Sequence, residues 1–310
     1  MTRILLGLHG GATADGAVRV AQLLQLHVNA SIEAVAVLAS LPVIDCGYGP
    51  VYIPDPNTED ELADQLREDC EKQLARCDLV GAKLSVVRGP RTATICDLAV
   101  ARSADLIVVG IGPHHFADRA LGNETALHLA QQASTPVLAV PAGMRSLPRH
   151  ILVATDFSPS SLAAARLATA LLTTNDTLEL AHVSASAQIG SIVVGPPHIR
   201  EAEHRMDDFV AQLNVPISMR VVTRVFGGEP ARALLDLANR TDVDMIALGS
   251  HGYKLWERVL LGSVSSKLLR LAHCAVLIYP SRCVATSETM KHLPVAHSAM
   301  SAASGPSAKY

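Results

Sequence analysis

Aromatic side chains are nearly missing from this chain: one Trp, five Tyr and four Phe make up 3% of 310 residues, although hydrophobic residues reach 49%. Its cores must be built from Ala, Val, Leu and Ile, as suits parallel layers of helix and strand. Basic runs are missing too. With 26 Lys and Arg against 29 Asp and Glu, the net charge of −3 leaves no electrostatic footprint for nucleic acid. No apolar stretch approaches membrane-spanning length, and Met1 to His9 enters a strand pattern with no signal-type apolar region or cleavage site, so a soluble cytoplasmic protein is expected. The six cysteines form no C-x-x-C pair, which argues against a zinc ribbon or a thioredoxin-type site and for reduced thiols. Cys70 and Cys77 share one face of a helix expected over 59–77 and read as packing residues. Among thirteen histidines, His114, His115, His198 and His204 could hold a transition metal, but neither H-x-x-x-H nor H-E-x-x-H occurs. Also missing are a G-x-x-x-x-G-K-[ST] loop, a G-x-S-x-G elbow and a paired acid and base.

What is present is a phosphate-binding pattern. Gly249-Ser-His-Gly252 is followed, after nine residues, by Gly262-Ser263. A short apolar run over 243–248 reads as a buried parallel strand ending at Gly249, and ligands gather at such strand ends. Two glycines three apart allow a tight turn whose N–H groups can form an anion nest. Gly262-Ser263 opens a helical pattern whose first amides and dipole favour phosphate oxygens, with Ser263 and Ser265 as possible hydroxyl donors. The plainer alternative is a strand-to-helix loop with turning glycines and a serine N-cap.

The chain also repeats itself. Ile4-Leu-Leu-Gly-Leu-His9 aligns with Ile151-Leu-Val-Ala-Thr-Asp156, 147 residues on. Gly89, Asp97-Leu-Ala99, 104–110 and 136–141 match Gly228, Asp236-Leu-Ala238, 243–249 and 275–280, all 139 residues on. Two similar domains in tandem are expected, over 1–142 and 149–280, followed by a flexible tail over 281–310. Each half alternates strand and helix, so its sheet is expected to be parallel with right-handed crossovers. In the second half strands are expected over 150–155, 177–183, 217–226, 243–248 and 275–279, and helices over 159–172, 198–213, 230–240 and 263–272. The terminal strands, 137–140 and 276–279, are short and apolar, and pairing them within the chain would cover both edges as a pseudo-twofold dimer.

Ile151-Leu-Val-Ala-Thr-Asp-Phe-Ser158, Phe226-Gly-Gly-Glu-Pro-Ala231 and Gly249-Ser-His-Gly252 through Gly262-Ser-Val-Ser265 together resemble the universal stress protein family. The resemblance covers nearly all of 150–280 and, more weakly, 1–141, as in tandem two-domain members. It implies two five-stranded parallel α/β domains of adenine nucleotide alpha hydrolase-like, Rossmann-like architecture. It also implies ATP as ligand, with Mg²⁺ or another divalent ion, and a role in stress survival. Carried over by position, it places Asp156 beside the adenosine and Thr155 and Val183 against the base. Gly249, His251, Gly252, Gly262, Ser263, Val264 and Ser265 would surround the phosphates, with Arg258 within reach. Relatives commonly dimerise through the last strand, so further self-association and a protein partner are open.

The first half departs from this pattern. His9 stands at the position of Asp156, Pro113 at that of Gly252, and Gly122-Asn123 at that of Gly262-Ser263. Proline removes an N–H donor and Glu124 would repel phosphate, so the first half is expected not to bind ATP. Three functions stay open: an ATP-binding regulatory module; an ATP hydrolase or nucleotide-dependent enzyme using Asp156 and Ser265 around Mg²⁺; and a metal-responsive histidine protein.

Overall fold

The computed structural model describes residues 2–39, 56–79, 81–112, 123–173, 175–184, 188–189, 192–193, 197–216, 218–250 and 262–284. Residues 40–55 and 285–310, with Pro113, His114, His115, Gly122, His251, Gly252 and Arg258, lie outside them.

The first half runs β1 (Arg3–Leu8), a 3₁₀ turn at Ala12–Ala14, α1 (Asp15–Val28), β2 (Ser31–Leu38), α2 (Pro56–Arg76), β3 (Lys83–Arg88), α3 (Arg91–Ala101), β4 (Leu106–Ile111), α4 (Asn123–Gln132) and β5 (Val137–Pro141). The second repeats this order as β6 (His150–Ala154), α5 (Pro159–Ala170), β7 (Thr177–Ser184), a small hairpin of β8 (Gln188–Ile189) and β9 (Ile192–Val193), α6 (Pro197–Ala211), β10 (Arg220–Gly227), α7 (Pro230–Arg240), β11 (Met245–Gly249), α8 (Ser263–Leu271) and β12 (Ala275–Tyr279). Ser281–Val284 then forms α9, so ordered chain continues past Pro280, where a tail was expected.

Ten strands make one sheet in the order β10-β7-β6-β11-β12-β5-β4-β1-β2-β3. Within each half every pairing of this sheet is parallel, the β8–β9 hairpin standing apart from it. The sole antiparallel pairing in this sheet joins the halves, with Leu277 opposite Leu138, Val276 opposite Ala139 and Ile278 opposite Val137. The two terminal strands thus close on each other about a pseudo-twofold axis.

Strands in such a sheet are buried on both faces, which explains their unbroken apolar runs. Alternation sends Ile4, Leu6 and Leu8 toward α1 and α2, and Leu5, Ile107 and Val109 toward α3 and α4. In the second half Ile151, Val153 and Leu180 meet α5 and α6, whereas Leu152, Ile246 and Leu248 meet α7 and α8. Cys70 and Cys77 are buried in the α1–α2 layer, as their spacing indicated. Strand order reverses between β6 and β11, and between β1 and β4, which puts a crevice at the carboxyl ends of each pair. No helix of the described residues is long and apolar enough to cross a membrane.

Candidate functional site

Leu248 of β11 pairs with Ala154 of β6. Immediately beyond that pair, Thr155 and Asp156 leave one strand and Gly249 and Ser250 end the other. Thr155 continues the sheet for one bond, its N–H donating to the Ala181 carbonyl at 2.9 Å. The chain then turns through Phe157 at φ +63°, a left-handed conformation unusual for an aromatic residue. Side chains hold this turn. The Thr155 hydroxyl accepts from Phe157 N–H at 2.9 Å, and Asp156 Oδ1 accepts from Ser158 N–H at 3.1 Å. Ser158, rather than Asp156, is the N-cap of α5, accepting from Ser161 N–H at 3.2 Å. With Ser158 in that role, the half-buried Asp156 stands at the crevice as the hinge of the turn.

Gly249 serves close packing. A Cβ there would lie 2.4 Å from Ser160 Oγ and 3.0 Å from Ser161 N, so the first turn of α5 seats directly on the end of β11. Ser250 and Gly262 are joined directly, Gly262 N–H donating to the Ser250 carbonyl at 3.0 Å. Gly262 is also the N-cap of α8, and no side chain caps that helix. The serine N-cap of the plainer alternative is not used: Ser263 is the exposed first helical residue. Ser265 is buried, and its hydroxyl donates to the Gly249 carbonyl at 3.3 Å. It therefore ties α8 to β11 instead of facing the crevice, while the first amides of α8 and the positive end of its dipole remain for an anion.

Val183, near the end of β7, packs against the layer of α7 and α8, on the side where α8 begins. Two features were not anticipated. Glu229 caps α7 by accepting from Arg232 N–H at 2.8 Å and pairs with Lys267 of α8 at 3.0 Å, bridging the far wall of the crevice. Both carboxylate contacts hold the Glu229 pKa below its ordinary value, the Lys267 hydrogen bond most strongly. On the opposite face His182 stacks on Phe157 with centroids 4.5 Å apart, and the Arg205 guanidinium lies 4.4 Å from the centre of the Phe157 ring. The signal that could have found this turn was Gly10, the first-half counterpart of Phe157, at φ +75°.

In the first half His9 does the work of Asp156: Gly11 N–H donates to His9 Nδ1 at 3.0 Å. Gly110, like Gly249, faces the entry of a helix, here Thr13 and Ala14. Among the described residues no three His, Cys, Asp or Glu groups gather as a metal site. His204 is exposed on α6.

The universal stress protein family model matches residues 1–141 and 148–280. The chain belongs to the universal stress protein family. A universal stress protein of Mycolicibacterium smegmatis is 28% identical over 293 residues, covering 90% of this chain and 97% of the relative. One from Methanocaldococcus jannaschii is 35% identical over 60 residues, where the match spans 19% of this chain and only 35% of the relative. The crystal structure of a universal stress protein from Archaeoglobus fulgidus superposes with a TM-score of 0.65 at 18% identity, covering 90% of this chain and 98% of that one. These two universal stress protein domains accordingly share a fold and differ in the side chains that close their first turns.

Proposed function

We propose that this protein binds one adenine nucleotide, ATP, in the crevice of its second half, and acts as a regulatory or protective module in the cytoplasm. The observation that carries the reading is the clamp from Gly262 N–H to the Ser250 carbonyl. It holds the end of β11 against the side-chain-uncapped start of α8, whose first amides suit an anion. Asp156 would meet the ribose, Thr155 and Val183 the base, and the amides of Ser263, Val264 and Ser265 the phosphates, with Gly262 holding the start of α8 in place through its bond to Ser250. A divalent ion such as Mg²⁺ fits this donor set through phosphate oxygens and water, because the Ser265 hydroxyl is committed to the Gly249 carbonyl. The first half, with His9 in place of the carboxylate, is assigned no nucleotide.

Ser263→Asp tests this. An acidic first helical residue complements the α8 dipole, so folding is unchanged or improved by about 0.3–1 kcal/mol. The same charge would stand among the phosphates; at ~5 Å and an effective dielectric near 20 the repulsion is about 3 kcal/mol per charge pair, or a hundredfold in affinity. Calorimetric titration with Mg-ATP should give one site per chain in the parent protein and weakening of that order in a variant of undiminished stability. Equal affinity in the two proteins would remove α8 from the binding site.

A further inference from the structure

The corresponding turns of the two halves are closed by the same hydrogen bond to different acceptors. Ser158 N–H donates to a carboxylate oxygen of Asp156 at 3.1 Å, and Gly11 N–H donates to the ring nitrogen Nδ1 of His9 at 3.0 Å. Because an N–H group points at Nδ1, that nitrogen must carry a lone pair; the ring proton is therefore on Nε2, which donates to Thr13 Oγ1 at 2.7 Å. A carboxyl group that takes up a proton retains an acceptor oxygen, whereas an imidazolium has none. We propose that His9 is an acid-sensitive latch: its protonation removes the acceptor that closes the first-half turn, while the second-half turn, closed by Asp156, stays shut.

The surroundings favour this response. Burial holds the His9 pKa below its ordinary value and the Arg91 guanidinium at the start of α3 adds to that, while its own backbone carbonyl and Asp15 oppose the shift without cancelling it. Asp15, on α1, is occupied by Gln73 at 2.7 Å and Arg76 at 3.4 Å, both from α2. Asp69, also on α2, packs where a Cβ on Gly10 would stand. The latch also has something to release. Thr13 and Ala14, directly beyond it, seat on β4, so close that a Cβ on Gly110 would lie 2.5 Å from both the Thr13 carbonyl oxygen and Ala14 Cα. Opening the turn frees the carboxyl end of β4, the first-half counterpart of the crevice described above.

The test is residue-resolved amide exchange of the intact protein between pH 7.5 and 5.5, with the His9 ring followed by NMR. If the open turn holds an ordinary histidine of pKa ~6.5 and the closed turn holds no proton, the opening constant of the Gly11 amide rises about tenfold across this range, after correction for intrinsic exchange. The rise should follow the His9 ring titration, leave the Ser158 amide behind, and vanish in His9→Asp, which installs the second-half acceptor. Equal rises at Gly11 and Ser158, or a Gly11 rise that persists in His9→Asp, would overturn the latch, as would a Gly11 amide indifferent to the His9 titration. Should His9→Asp fail to fold, the comparison of Gly11 with Ser158 within the parent protein decides alone.

Discussion

Replacing Gly249 or Gly110 by alanine separates two reasons for a glycine toward the carboxyl ends of β11 and β4. Neither residue has a left-handed φ, so if conformational freedom in the folded state were irrelevant, alanine would stabilise each by about 0.4–1 kcal/mol through the unfolded chain. Close packing predicts the opposite sign. At Gly249 the new methyl lies 2.4 Å from Ser160 Oγ and 3.0 Å from Ser160 Cβ and Ser161 N. The hydroxyl can rotate away, giving up its 3.0 Å contact with Ser158 Oγ, and the remaining contacts need a shift of a few tenths of an ångström. A cost of about 1–2 kcal/mol follows, one hydrogen bond plus mild overpacking. At Gly110 the methyl meets only backbone, Ala14 Cα and the Thr13 carbonyl oxygen at 2.5 Å and Ala14 N at 3.0 Å. Relief there means moving the entry of α1, yet α1 is itself pinned, since a Cβ on Gly16 would lie 2.0 Å from the Pro141 carbonyl oxygen. About 3 kcal/mol or more is expected for Gly110→Ala, beyond ordinary overpacking. Urea unfolding of the nucleotide-free protein measures both, as midpoint shifts at constant m-value. A neutral or stabilised variant at either position, or a larger loss at Gly249 than at Gly110, would refute the packing account.

Three further outcomes are expected. Glu179, 1% exposed, accepts from His150 Nε2 at 2.9 Å and from the Arg224 guanidinium, so Glu179→Ala should cost about 3 kcal/mol by urea unfolding, and Arg224→Ala, on a side chain 43% exposed, distinctly less. Burial pushes the Cys70 thiol up to about 11 and leaves it 0% exposed, so at pH 8 it should react with a disulfide reagent only as fast as the protein opens; rapid native-state labelling of Cys70 would contradict its placement. His182 has a pKa held below its ordinary value, by burial first, so as pH falls below about 6.5 the unfolded chain takes the proton first. Its contribution to stability is complete above that pH and is lost as pH falls through the folded-state pKa, and His182→Gln should flatten the stability profile in that window.

The alternation of elements was legible because each half repeats the other and because buried parallel strands are written as short apolar runs. Helix α7 and strand β12 fall on the expected 230–240 and 275–279, since Pro230 fixes the first turn of one and Pro280 closes the other. Where apolar pattern was weak the boundaries moved: β10 begins at Arg220 instead of residue 217, at a sheet edge whose side chains are largely solvated. Long-range contacts were not legible. Helix α9 is anchored by Ser281 N–H donating to Ser250 Oγ at 3.0 Å, a bond between residues 31 apart that no local composition announces. The same limit applies to Ser265. Its place in the motif suggested a phosphate donor, yet the Gly249 carbonyl, brought close by the pairing of β11 with β12, takes its hydroxyl first.

The antiparallel seam explains how one half can change its chemistry while the other keeps the family pattern. Pairing β5 with β12 uses the terminal strand of each half as an inner strand, so the sheet ends at β3 and β10 instead. Those outer strands present Lys83 and Arg88 on one side and Arg220, Thr223 and Arg224 on the other, all exposed, which discourages addition of another strand. The first half is therefore required as the partner of β12 whether or not it holds a ligand. Side chains that serve this role, such as Leu138 and Ala139 at the seam and Gly16 against Pro141, are constrained by packing. The residue that closes the β1–α1 turn must present an acceptor to Gly11 N–H, a demand that a neutral imidazole donating from Nε2 to Thr13 Oγ1 meets as a carboxylate does. The exchange of Asp for His thus leaves the sheet intact at neutral pH and confines the consequence of acid to one turn of one half.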